Sequence, residues 1–189
     1  MKNLNRNISS NESFLFYSND NGYVYQDSAD FHNQTSNYNL CESPNITLNK
    51  RERINTNTQV KSLLNKPIPA LTKQDKKILS QYTGFGGINK NEFGSLSQFY
   101  TDYSTVRAIF KAIDNSSFKY HNILEPAAGA GGFIGNKPYK NWTTIELDYL
   151  NYQVLNRLYP KALNYNLSFE DFNKKGFDLI ISNIPFLES

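Results

Sequence analysis

The sequence of 189 residues predicts an α/β fold with a parallel, doubly wound sheet in its C-terminal half. Three observations carry this. From residue 121 onward, short apolar runs alternate with stretches of helical period. The first run leads into a glycine-rich turn, Glu125-Pro-Ala-Ala-Gly-Ala-Gly-Gly-Phe133. The last run, Phe177-Asp-Leu-Ile-Ile181, is an apolar strand that passes directly into Asn183-Ile-Pro-Phe186.

Residues 1–57 are rich in Asn, Ser, Asp and Thr, with scattered aromatics and no sustained period, and are expected to form a disordered tail. Within them, Ser13-Phe-Leu-Phe-Tyr17 and Tyr23-Val-Tyr25 have two readings: a hairpin around Asn19-Asp-Asn-Gly22, or aromatics that dock on a partner. Residues 58–98 form a helical region. Thr58 to Lys66 reads as a helix stopped by Pro67, and Thr72 as the N-cap of a second helix, Lys73 to Tyr82. Lys73, Lys76 and Lys77 read as its solvated face in preference to a phosphate contact. Gly84, Gly86 and Gly87 then form either a simple helix stop or a loop near a ligand.

Residues 99–189 hold the sheet. Ser104 to Ile113 carries apolar residues at 106, 109, 110 and 113, the spacing of an amphipathic helix packed on a sheet. The expected order is then a first strand at Asn122–Leu124, a short helix after the glycines, a second strand at Trp142–Glu146, and a helix at Leu150–Leu158 stopping before Pro160. A third strand at Ala162–Tyr165 and a fourth at Phe177–Ile181 complete it.

Composition excludes several classes. The net charge of +3 is too small to imply nucleic acid by itself. A single cysteine, Cys41, forbids an intrachain disulfide, and a cytoplasmic location is expected. No apolar run approaches the ~20 residues that span a bilayer, and the N-terminus lacks the apolar core of a signal peptide. His32 and His121 are isolated, so no metal site and no Ser–His–Asp arrangement is expected.

A strand, a Gly-rich turn and a helix start form a cradle for an adenosine-containing cofactor at the edge of a parallel sheet. Glycine lets the backbone approach a ligand where a side chain would block it. The acidic Glu125 opening the turn would repel a pyrophosphate; it suits a cationic or zwitterionic ligand such as S-adenosylmethionine. Glu146 lies roughly 20 residues beyond the turn, the offset at which a carboxylate accepts hydrogen bonds from ribose hydroxyls. The plainer reading is an exposed acid in Glu146-Leu-Asp148.

Several of these segments resemble one family. Glu125 to Phe133 is similar to the cofactor motif of N6-adenine amino-methyltransferases, and Asn183-Ile-Pro-Phe186 to their Asn-Pro-Pro-Phe/Tyr motif. Phe99-Tyr-Thr-Asp102 resembles their Phe-Tyr-Thr-Pro element, with Asp102 in place of proline. Tyr82-Thr-Gly-Phe-Gly-Gly87 resembles a segment of helicase–methyltransferase proteins of phages and mobile elements. The resemblance spans roughly residues 80–189 and implies a Rossmann-like class I methyltransferase domain with strand order 3-2-1-4. It implies that Glu125, Pro126, Ala127, Gly129 and Gly131 line the methionine part of S-adenosylmethionine; Phe133 after them is a cofactor-site candidate or simply core, and Glu125 has the alternative reading of a cap on the turn. Tyr100 and Thr101 would hold its amino-acid end, and Phe169 would lie against the adenine unless it is core.

The resemblance further implies that Asn183, Ile184, Pro185 and Phe186 are catalytic. The exocyclic amine of adenine is a poor nucleophile because its lone pair is delocalised into the ring. The Asn183 side-chain oxygen and the Ile184 carbonyl, as two acceptors on its N–H groups, would localise that pair. Pro185 would fix the direction of the Ile184 carbonyl, and Phe186 would stack on an adenine flipped from DNA. Further strands would follow the fourth in a complete sheet of this class. The expected protein is therefore a methyltransferase part, truncated or split, completed by a second chain or by self-association. Its expected activity is methylation of adenine in DNA, of restriction–modification or phage type. A non-catalytic remnant that binds the cofactor or a partner, methylation of ribosomal RNA adenine or protein glutamine, and a generic nucleotide-binding module that prefers ATP or NAD are the alternatives.

Overall fold

The computed structural model describes residues 17–19, 22–24, 36–42, 48–84 and 100–184. Strands β1 (Tyr17–Asn19) and β2 (Gly22–Val24) pair antiparallel, with Asn19 opposite Gly22 and Tyr17 opposite Val24. This is the hairpin reading of that segment.

Helix α1 (Lys50–Leu63) opens with a reciprocal capping box. The Asn49 side chain accepts from the Glu52 amide at 3.0 Å, and the Glu52 carboxylate accepts from the Asn49 amide at 2.8 Å. The helix thus begins at Lys50, not at Thr58, and the expected boundary at residue 57 falls inside it. Its first two turns carry no apolar period, because the inward residue there is the fully buried Asn57. Helix α2 (Lys73–Leu79) is capped by Thr72, paired in the same way with Asp75. It ends at Leu79 instead of continuing to Tyr82, and Tyr82 turns into the core. Lys76 is buried, not solvated as its sequence suggests. Because α2 packs on α1 and also on α4 (Tyr149–Leu158), it has little free face, and burial lowers the pKa of that ammonium.

Helix α3 (Tyr103–Asn115) starts at Asp102, whose carboxylate accepts from the Thr105 amide at 3.1 Å. Hydrogen bonds, first from the Ser104 hydroxyl and then from that of Thr105, hold the Asp102 carboxyl down at about 2. Val106 and Phe110 form the buried stripe of α3. Phe110 meets Phe133 and Trp142 edge-on, each with ring centroids 6.3 Å apart.

The sheet comprises β3 (Asn122–Glu125), β4 (Asn141–Ile145), β5 (Leu163–Tyr165) and β6 (Leu179–Ile180), all parallel, in the order β5-β4-β3-β6. This is the expected 3-2-1-4 order. β6 is short, and backbone bonds from the Asp178 amide to Asn122 and from the Ile181 amide to Leu124 extend its pairing. One apolar cluster joins Val60, Leu79 and Tyr82 of the helical region to Val106, Ile123, Trp142, Val154, Leu155 and Tyr159 of the sheet region.

The connection from β3 to β4 holds no α-helix. A single 3-10 turn, Ile134–Asn136, stands where a short helix is expected. Gly135 weakens helical order there and Pro138 denies it continuation. Residues 36–42, inside the expected tail, lie against this turn. The Tyr38 amide donates to the Leu158 carbonyl at 2.7 Å, and the Asn37 side chain donates to the Pro138 carbonyl at 2.9 Å. Among the described residues, no helix is long and apolar enough to cross a membrane, and no cluster of His, Cys, Asp and Glu could hold a metal ion.

Candidate functional site

From β3 to β5 the chain steps along the sheet in one direction. It then returns past β4 and β3 to lay down β6. The order therefore reverses between β3 and β6, and in open α/β sheets ligands bind at the carboxyl ends of the strands beside such a switch point. Three sequence elements arrive there together: the Gly-rich turn after β3, Glu146 after β4, and Asn183-Ile184 after β6.

The turn is held from beneath by backbone bonds. The Ala128 amide donates to the Ile145 carbonyl at 3.0 Å, and the Gly131 amide donates to that of Ala128 at 2.9 Å. Gly129 and Gly131 have φ of +54° and +81°, in the left-handed region where only glycine is unstrained. A Cβ on Gly131 would lie 2.3 Å from Tyr159 Cε2, so the turn presses directly on the core. A Cβ on Gly129 would lie 3.3 Å from Tyr100 Cε1, so Tyr100 covers that side of the turn.

Glu146 is a built part of this site, which excludes the exposed-acid reading: it is 8 % exposed. Its Oε2 accepts from the Gly129 amide at 2.6 Å and its Oε1 from the Asp148 amide at 2.7 Å. Burial still raises its pKa, ahead of the lowering by those two amides. The Asn151 side chain also hydrogen-bonds this carboxylate, which keeps acceptor capacity for one further donor. Glu125, at the end of β3, is 1 % exposed, and its Oε2 has no hydrogen-bond partner. Burial, reinforced by the Glu146 charge, raises its pKa well above the usual carboxylate value. Across the switch point, the buried Ser182 Oγ likewise has no partner. Unsatisfied buried polar atoms are uncommon in folded chains, and these two lie just beyond the paired residues of adjacent strands, β3 and β6.

Tyr100 donates its hydroxyl to Asn151 Oδ1 at 2.8 Å, which ties the turn to the first turn of α4, capped by Asp148. Tyr82 meets Tyr100 edge-on, with ring centroids 6.2 Å apart. Burial first, then the Asp148 and Glu146 charges, raise the pKa of the Tyr82 phenol. Thr101 adjoins the turn, its carbonyl 3.9 Å from the position of a Cβ on Gly132. Pro126 and Ala127 are half-buried in the turn, and Phe133 is buried in the core against Phe110.

The remaining candidates are placed differently. Phe169 is 53 % exposed in a 3-10 turn, Phe169–Asp171, so its core reading is excluded. Asn183 and Ile184 are exposed at the strand end. Pro185 and Phe186 lie outside the described residues, as do Phe85-Gly-Gly87 and Phe99. Site residues beyond those singled out from sequence are Tyr82, Asp148, Asn151 and Ser182. The signal for Asp148 and Asn151 was their N-cap spacing at the start of α4; for Tyr82 and Ser182 only the folded chain supplies one.

Over 143 residues the chain is 29 % identical to Defense against restriction protein B of Escherichia phage P1. No family model matches the chain, and no solved structure matches it. The alignment takes in 72 % of the chain but 6 % of that protein, so the chain is a distant relative of a small part of a phage restriction-defence protein.

Proposed function

We propose that the chain forms the S-adenosylmethionine-binding part of a methyltransferase that modifies the N6 amine of adenine in DNA. The observation that carries this reading is the Glu146 carboxylate, bound to the Gly129 amide at the switch point, beside the partnerless Glu125 Oε2. The residues fit such a cofactor. Glu146 offers acceptor capacity to a ribose hydroxyl, and the glycines allow close approach of the backbone. Bound there, the cofactor supplies an activated methyl group. Asn183 and the Ile184 carbonyl accept from the adenine N–H groups and localise the lone pair of the amine. Rate then comes from in-line positioning and electrostatics. The relative's part in defence against restriction fits DNA as substrate, since modified bases can resist cleavage.

A second reading is a cofactor-binding module completed by another polypeptide strand. In its favour, the outer edge of β6 is unpaired among the described residues and Ile180 is 61 % exposed. Calorimetric titration with S-adenosylmethionine tests both readings, with Glu146→Ala as control. Binding lost in the variant supports the site; a folded wild-type chain that binds nothing overturns it. Methyl transfer to plasmid DNA, against ribosomal RNA and protein, then separates the enzyme from the module and DNA from the other substrates.

A further inference from the structure

We propose that Asn57 and Arg53 are positioning residues of this site. They clamp the backbone of Thr83 and Gly84, so that Tyr82 is held against Tyr100 over the Gly-rich turn. The inference rests on the functional reading only in taking that turn as the seat of the cofactor.

Asn57 is a polar side chain in the core, with 0 % exposure, on a helix whose other inward residue is Val60. Burying an amide is costly unless both its donor and acceptor are used. Here one short segment uses both. Asn57 Nδ2 donates to the Gly84 carbonyl, and Asn57 Oδ1 accepts from the Thr83 amide at 3.4 Å. From one turn earlier on α1, Arg53 adds a second grip. Its Nε donates to Thr83 Oγ1 at 3.0 Å and its Nη2 to the Thr83 carbonyl at 3.2 Å. Two side chains of one helix thus make four bonds to two consecutive residues. Packing α1 on α2 would not require this arrangement, because apolar residues would do it at lower cost.

The segment so held departs from helical geometry. α2 stops at Leu79, and Gly84 takes φ +59°. Tyr82 is therefore delivered sideways, 4 % exposed, onto the edge of Tyr100. Tyr100 in turn covers Gly129, whose amide donates to Glu146. A connected path runs from Asn57 to the Thr83–Gly84 backbone, along the chain to Tyr82, and through Tyr100 to the Glu146–Gly129 bond. It makes the N-terminal helical region part of the site rather than an appendage.

The test uses the whole ¹⁵N-labelled chain and the variants Asn57→Ala and Arg53→Ala, with Arg53→Lys as the conservative variant. Arg53 is only half-buried, so its variants decide the matter if Asn57→Ala does not fold. Amide exchange is followed without ligand, and S-adenosylmethionine affinity by calorimetry. The expected result is loss of protection at Thr83 together with faster exchange at Gly129, some 45 residues away. Cofactor affinity should fall about tenfold, partly restored in Arg53→Lys. Exchange changes that stop at residues 82–84, with Gly129 and affinity unchanged, would overturn the proposal. If the wild-type chain binds no S-adenosylmethionine while Gly129 responds as expected, the clamp stands and the functional reading falls.

Discussion

Replacing Gly131 with alanine separates two costs that are fused in the Gly-rich turn. The first is backbone strain: φ is +81°, and a non-glycine residue held in the left-handed region costs about 1–2 kcal/mol. The second is overpacking. The new Cβ would lie 2.3 and 2.8 Å from Tyr159 Cε2 and Cδ2 and 2.9 Å from Leu155 Cδ2, and neither side chain is exposed at all. Inserting a methyl into such a wall costs about 1–3 kcal/mol. Two other glycines isolate the terms. Gly176 has φ +91° with no atom within 4 Å of an added Cβ, so Gly176→Ala pays strain alone. Gly132 has no positive φ, and its nearest neighbour is 3.9 Å away, so Gly132→Ala should be neutral or slightly stabilising. Urea unfolding should rank them Gly132→Ala, then Gly176→Ala at about 1–2 kcal/mol, then Gly131→Ala at about 2–5 kcal/mol. If Gly131→Ala costs no more than Gly176→Ala, Tyr159 and Leu155 yield freely. The core then does not shape the turn.

Three further outcomes are expected. Glu125 and Glu146 have pKa values raised by burial, so the stability tied to their protons is present below about 4.5 and is lost as pH rises through their higher folded values. Glu125→Gln should therefore raise stability at pH 7 and flatten the decline above pH 4.5, read from urea midpoints across pH; an unchanged profile would contradict the assignment. Asp102, Asp114 and Asp178 are shifted the other way and act in a separate window, losing stability as pH falls below about 3.8. Phe110→Ala removes the ring between Phe133 and Trp142 and should cost about 3–5 kcal/mol in chemical unfolding. On the proposed function, Asn183→Ala should lower single-turnover methyl transfer by about 10²–10³-fold while calorimetric cofactor affinity is retained; loss of affinity instead would place Asn183 in binding and not in chemistry.

Much of the fold was legible because its signals are local. Alternating apolar runs announced β3, β4, β5 and β6, and the stripe at 106, 109, 110 and 113 announced α3. Thr72 marked the start of α2. Where local signals are weak, the structure departs from the sequence expectation. α1 shows no apolar period over Lys50–Asn57, because its inward residue is an amide whose partners lie near residue 83. The helix expected after the glycines is only a 3-10 turn, since turn chemistry and Pro138 outweigh a few apolar residues. Lys76 has the sequence of a solvated lysine, and its burial goes with the packing of α2 on α1 and on α4, elements outside its own helix.

The candidate site divides in the same way. By itself the sequence determined its chemical inventory: the glycines at 129 and 131, acids at 125 and 146, and Asn183 after a strand. Residue type and spacing along a strand–turn unit are properties of adjacent residues. Only the tertiary structure decided that the Glu146 carboxylate closes on the Gly129 amide, that Glu125 and Ser182 are left with partnerless oxygens, and that Asn57 reaches across to the Thr83 amide and the Gly84 carbonyl. Those facts depend on which groups lose water together, and burial is set by elements brought side by side from distant parts of the chain.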